Sequence, residues 1–268
     1  MRQEKRIFRL VLKTLPLALY DRDAHIKAHA AYIMAKAGDK KSALDLIIDL
    51  SVSWLYGHRE RFEPGCVFVA PHALEATGDN ALPQVLSSVC AAMFIGQSDT
   101  DIVQVDRVYH TGANAMERMV TRAQFEGRVV PGSQYVLVDD VISMGGTLAE
   151  LANFIQMHGG VVKDVIALVN AGRNLSLMPQ LKFVQLIQER FGDEFTKIFG
   201  IEPHALTANE AQYLVGFKSL DEIRNRRAAA EQEVDRRLRS KGISRAAEPT
   251  KPGAYAQEGL NGGKKQEG

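Results

Sequence analysis

Tyr135-Val136-Leu137-Val138-Asp139-Asp140-Val141-Ile142-Ser143-Met144-Gly145-Gly146-Thr147-Leu148 sets the architecture of this 268-residue chain. Tyr135 to Val138 form a short, unbroken apolar run, which predicts a buried strand. Two carboxylates follow at its C-terminal end, then a turn containing Gly145 and Gly146. Leu148, Leu151, Phe154 and Ile155 recur at helical spacing, so the turn opens a helix. In open parallel sheets, ligands bind beyond the carboxyl ends of the strands. A turn entering a helix offers unpaired N–H groups and the positive end of the helix dipole, which suits a phosphate. The two glycines let backbone approach such an anion closely, and the hydroxyls of Ser143 and Thr147 add donors. Adjacent carboxylates would repel an anion they faced. They fit as acceptors for sugar hydroxyls, or beside a bound cation.

Outward from this stretch, strand and helix patterns alternate. Val67 to Ala70, ended by Pro71, predicts a strand, and Leu82, Val85, Leu86 and Val89 a helix. Asp101 to Val108 and Asp164 to Val169 predict two further strands. This alternation indicates an α/β fold with a parallel sheet covered on both faces. The first sixty residues read as helical: Ala24 to Lys36, then Lys41 to Trp54, with a break at Gly38-Asp39. Phe183 to Phe199, Thr207 to Tyr213 and a long helix from Ser219 to about Ser240 are predicted after Gly172, the last opened by the capping-box spacing Ser219-Leu220-Asp221-Glu222. The expected organisation is a helical addition over 1–60, a core over 61–175, a helical segment over 176–240 available for a hood or oligomerisation, and a disordered tail over 241–268 rich in Gly, Lys, Glu and Gln.

Composition removes several classes. Hydrophobic residues make up 46% and charged residues 24%, so the chain is not mainly disordered. Lys plus Arg number 33 against 32 Asp plus Glu, a balance that counts against a dedicated nucleic-acid binder. Interspersed Glu231, Glu233 and Asp235 likewise make the Arg-rich helix after Ser219 a solvated, salt-bridged face. The two cysteines, Cys66 and Cys90, lack partners at metal spacing and read as buried thiols in a reducing compartment. His25 and His29 have i,i+4 spacing but no third ligand, so a solvated helix face is favoured over a metal site. No apolar stretch is long enough to predict a membrane span, and no secretory signal is read at the N-terminus, so a cytoplasmic location is expected.

The run from Val138 to Leu148 resembles the phosphoribosyl-diphosphate motif of the type I phosphoribosyltransferases: an apolar strand, two acidic residues, four variable residues, then Gly-Gly-Thr. The resemblance implies a phosphoribosyltransferase-like core with helical N- and C-terminal additions. It implies a magnesium-dependent transfer of ribose 5-phosphate between phosphoribosyl diphosphate and a nitrogen acceptor of nucleobase type. Asp139 and Asp140 would bind the ribose hydroxyls. Ser143, Met144, Gly145, Gly146 and Thr147 would hold the 5′-phosphate. Magnesium would sit near Asp139 and Asp140, bound mostly through the substrate. Met144 stands where Thr or Ser is common, and Ser143 where several purine-specific members carry Asp, which counts against a hypoxanthine/guanine acceptor.

The same resemblance places a diphosphate loop at Pro71 to Pro83, with His72, Glu75 and Asn80 as candidates, although the loop contains no Arg or Lys. It places a mobile closing loop over Tyr109 to Gly132, with Arg118 and His110 as candidates for stabilising the departing charge. A homodimer is the family's common arrangement. GxxxxGK[ST] and GxGxxG are both absent, so P-loop and dinucleotide-binding readings fail. Two other classes use the same pocket: a regulator that senses phosphoribosyl diphosphate without turnover, and a hydrolase or salvage enzyme for a modified nucleotide.

Overall fold

A computed structural model describes residues 4–71, 80–105 and 113–240. The strands in chain order are β1 (Leu17–Tyr20), β2 (Val67–Val69), β3 (Gln97–Asp99), β4 (Val103–Gln104), β5 (Phe125–Glu126), β6 (Gln134–Ile142) and β7 (Val161–Asn170). Five of them form one sheet in the order β1-β7-β6-β2-β3, and all its pairings are parallel. The helices are α1 (Ala24–Lys27), α2 (Tyr32–Lys36), α3 (Lys40–Gly57), α4 (Leu82–Met93), α5 (Ala115–Val120), α6 (Gly146–Met157), α7 (Leu181–Phe199), α8 (Ala208–Leu214) and α9 (Leu220–Ser240). This is the expected α/β architecture with a parallel sheet.

Strand periodicity explains the two-faced core. Val136, Val138, Ile166 and Leu168 point into a cluster with α3 and α4 residues such as Leu46, Ile47, Leu82 and Leu86. Their neighbours Tyr135, Leu137, Val165 and Ala167 point the other way, against Leu148, Leu151 and Ile155 of α6. Unbroken apolar runs are what a strand buried on both faces requires. A third cluster lies in the C-terminal helices, around Phe191, Phe195, Leu214 and Ile223, and it takes in Met116 and Met119 of α5.

Several expectations are corrected. The N-terminal segment is not helical throughout: Leu17–Tyr20 adds the edge strand β1 beside β7. Tertiary pairing overrides the weak local pattern there. Ala24 to Lys36 is split into α1 and α2 around His29, whose ring Nδ1 accepts the Ala31 N–H and competes with the helix ladder. Asp101 to Val108 was expected in the sheet. Its described part yields only β4, antiparallel to β5 in a separate two-stranded sheet. The sheet instead gains β3, whose Gln97-Ser98-Asp99 sequence carries no apolar signal because it is an edge. In the interval 109–132, where a mobile closing loop was expected, the described part holds α5, packed in the third core, and β5. The expected disordered tail, 241–268, lies outside the described residues.

α9 buries Ile223, Ala230, Val234 and Leu238; the Arg236–Glu233 pair lies on its exposed side, as its composition suggested, while Arg227, paired with Glu231, also reaches the Ile198 carbonyl of α7. Among the described residues, no helix is long and apolar enough to cross a membrane.

The terminal segments are joined to the core by buried charge. Arg6, fully buried, places Nη2 2.6 Å from Glu210 Oε2 of α8 and Nη1 3.6 Å from Glu150 Oε1 of α6. Arg122 forms a two-pronged contact with the same Glu150 carboxylate, at 2.6 and 2.8 Å. Glu150→Ala leaves the buried Arg122 guanidinium without its carboxylate and removes one of the two that face Arg6, and should lower stability by about 3–5 kcal/mol in urea denaturation. Lys41→Ala, which removes an exposed i,i+4 pair with Asp45, should leave the urea midpoint essentially unchanged.

Candidate functional site

The sheet order reverses between β2 and β6. From β2 the chain crosses to β3 on one side, and from β6 it crosses to β7 on the other. Such a switch point opens a crevice beyond the carboxyl ends of the two strands, where α/β folds bind ligands. Asp139, Asp140 and the turn into α6 lie at the β6 side of this crevice. Asn80, after β2, lies at the other.

Gly145 caps α6 in the left-handed region, at φ 76°. A side chain there would be strained, and a Cβ would meet Leu177 Cδ2 at 2.5 Å. At Gly146 a Cβ would lie 2.9 Å from Glu210 Oε1. The second glycine is thus demanded by α8 packed behind the turn, as well as by any ligand in front.

The carbonyls of this turn are held from outside. Asn209 Nδ2 donates to the Ser143 carbonyl at 3.2 Å, Thr207 Oγ1 to the Met144 carbonyl at 2.6 Å, and Arg6 Nη1 to the Gly146 carbonyl at 3.4 Å. A turn can present N–H groups to an anion only if its carbonyl dipoles point elsewhere. Thr207 and Glu210 form a complete capping box on α8, which fixes the donor hydroxyl. Ser143, Met144, Gly146 and Thr147 stay partly exposed in front.

The two carboxylates differ. Asp140 is buried, and its Oδ2 accepts from Lys36 Nζ at 2.8 Å and Asn80 Nδ2 at 3.1 Å. Asp139 Oδ1 accepts the Asp140 N–H at 2.8 Å. Burial of the Asp139 carboxyl, with the Asp140 charge beside it, holds its pKa well above the ordinary carboxylate range. Burial works against a charged Lys36, but the facing Asp140 carboxylate outweighs it and the net shift is upward.

The structure brings together most of the expected site residues. Arg118 Nη1 donates to Ser143 Oγ at 2.9 Å and Nε to the Ala113 carbonyl at 3.0 Å, so α5 delivers a cation to the turn. Asn80 touches Asp140. His72, Glu75 and His110 lie outside the described residues. Lys36, Thr207, Asn209 and Arg6 were missed. Thr207-x-x-Glu210 carries a capping signature in sequence, but nothing local ties it to a turn more than sixty residues earlier. Lys36 carries no local signal at all.

Among the described residues, no group of three His, Cys, Asp or Glu side chains could hold a metal ion. Of the two carboxylates near the crevice, Asp140 already faces Lys36 and Asn80. These residues do not make a protein-only magnesium site. They are compatible with an ion whose oxygens come chiefly from a bound phosphate ester and water.

No family model matches the chain. It is 35% identical over 242 residues to Protein TraN of Escherichia coli, covering 86% of this chain and 54% of TraN. The chain therefore spans about half the length of that curated relative. Over 75 residues it is 36% identical to a hypoxanthine/guanine phosphoribosyltransferase of Methanosarcina acetivorans, covering 26% of this chain and 39% of the other. Among solved structures, an adenine phosphoribosyltransferase from Leishmania donovani superposes over 74% of this chain and 89% of its own, with a TM-score of 0.32 and 16% identity.

Two outcomes follow from this geometry. Thr207→Val keeps the side-chain shape but loses both the Met144 bond and the α8 cap, and should cost about 1–3 kcal/mol in urea denaturation, most of it regained by Thr207→Ser. Asp139 has a raised folded pKa, so its contribution to stability is full below the ordinary carboxylate range and is lost as pH rises through the elevated value. Asp139→Asn should therefore raise the melting temperature near pH 7, by about 2–4 °C per kcal/mol gained, with the difference closing toward pH 4.

Proposed function

We propose that the chain binds phosphoribosyl diphosphate in the crevice between β2 and β6 and transfers its ribose 5-phosphate to a nitrogen acceptor of nucleobase type. One observation carries the reading. A left-handed glycine turn with outward-tied carbonyls follows two adjacent carboxylates at the point where strand order reverses. The short alignment with a hypoxanthine/guanine phosphoribosyltransferase agrees with it.

In this reading the backbone N–H groups from Ser143 to Thr147, with the α6 dipole, take the 5′-phosphate. Asp139 and Asp140 accept hydrogen bonds from the 2′- and 3′-hydroxyls and fix the ring. Bound magnesium, held through the substrate, would neutralise charge on the departing diphosphate. The acceptor nitrogen bonds to C1 as the C1–O bond to diphosphate breaks. Positioning and charge stabilisation supply most of the acceleration. Arg118 stands at the turn, where its guanidinium can follow the anion and exclude water.

A second reading, binding without turnover, is favoured by one specific contact. Asp140 Oδ2 already accepts from Lys36 and Asn80, which leaves fewer lone pairs for the diol. Titration calorimetry with phosphoribosyl diphosphate and magnesium, followed by a diphosphate-release assay over a nucleobase panel, tests both. Saturable binding with base-dependent release is the expected result. Binding without release from any base selects the sensor, and absence of binding overturns both readings. Asp139→Asn combined with Asp140→Asn should reduce release by at least about a thousandfold while circular dichroism remains unchanged.

A further inference from the structure

We propose that Lys36, carried by the N-terminal helix α2, is the cation that receives the diphosphate of the donor, bridging it to Asp140. This rests on the phosphoribosyl reading and adds a substrate-binding residue to it.

The segment from Pro71 to Pro83 that follows β2 in sequence contains no Lys or Arg, and it carries Glu75 and Asp79. A substrate with several negative charges therefore needs cations from elsewhere. Among the described residues, Arg118 and Lys36 reach the crevice from outside the strand-and-helix motif. Arg118 is at the turn, on Ser143 Oγ. Lys36 is on the second carboxylate of the acidic pair, with Nζ 2.8 Å from Asp140 Oδ2.

The shape of the sugar separates their tasks. In phosphoribosyl diphosphate the C1 diphosphate lies on the same face of the ring as the 2′- and 3′-hydroxyls, and the C5 phosphate arm on the other. With the diol on the carboxylates, the diphosphate on C1, next to the 2′-hydroxyl, would therefore lie beside the acidic pair. There Lys36 and Asn80 converge on one oxygen from two different elements, 104 and 60 residues away in sequence. A lysine ammonium has three N–H donors, and Asp140 needs one. The Lys36 side chain keeps about a third of its surface exposed, so the other donors can meet a ligand. Burial of Asp140 holds the ammonium in place before the ligand arrives, which lowers the ordering cost of binding.

A lysine that merely neutralised Asp140 would support ribose 5-phosphate and phosphoribosyl diphosphate equally. A diphosphate ligand would not. Calorimetry with each compound, in magnesium, on the wild type, Lys36→Met and Lys36→Gln separates the two roles. Lys36→Gln keeps an amide donor for Asp140, so the fold is retained without the charge. The expected result is a loss of about tenfold or more in affinity for phosphoribosyl diphosphate in both variants, with ribose 5-phosphate within about threefold of wild type. Equal weakening of both ligands, or unchanged affinity for both, overturns the role of Lys36 and leaves the phosphoribosyl reading standing. A wild type that binds neither compound overturns the phosphoribosyl reading itself, and this assignment with it.

Discussion

A polypeptide turn has as many carbonyls as N–H groups, and an anion is attracted by one set and repelled by the other. The bend between β6 and α6 can hold a phosphate only while its carbonyls are occupied elsewhere. In this chain that occupation falls to α8. Asn209 and Thr207 take the Ser143 and Met144 carbonyls, and the capping box at Thr207 and Glu210 keeps the hydroxyl in position. The C-terminal segment is therefore part of the turn's support, standing behind it.

The same carboxylate that completes the α8 cap meets Arg6, and Arg6 also approaches Glu150 of α6. Arg122 grips Glu150 from the other side and reaches the carbonyls of Phe199 and Gly200 at the end of α7. Charges buried this deeply are stable only as a complete set, since loss of one member leaves the others without solvation. The network joins the N-terminal segment, the sheet domain and the C-terminal helices behind one turn. Its members were invisible locally: Arg6, Glu150 and Glu210 sit far apart in sequence and have no shared motif.

What could be read from residues alone was whatever depends on short-range pattern. The apolar run at Tyr135 to Val138 marks the central strand, and Gly145 marks the left-handed cap, because strand burial and positive φ both restrict residue type locally. Edge strands escaped, since β1 and β3 satisfy one neighbour and need no alternating signature. The acidic pair was readable as a site, but its asymmetry was not. Asp140 is paired by Lys36 from α2, whereas Asp139, partly exposed, is held by a backbone N–H beside the Asp140 charge. Long-range partners set that difference, and no spacing rule contains them.

Arg6 has a further implication for biosynthesis. Its backbone pairs with Ile201 and Gly200, and its guanidinium closes on Glu210, so one of the first described residues waits for a partner 204 positions later. Strands and their covering helices can condense while the chain is still emerging, because their contacts are local by comparison. The turn after β6 cannot. Until α8 has left the ribosome, its carbonyls have only water to hold them, and a nascent chain would possess a finished sheet with an unfinished mouth.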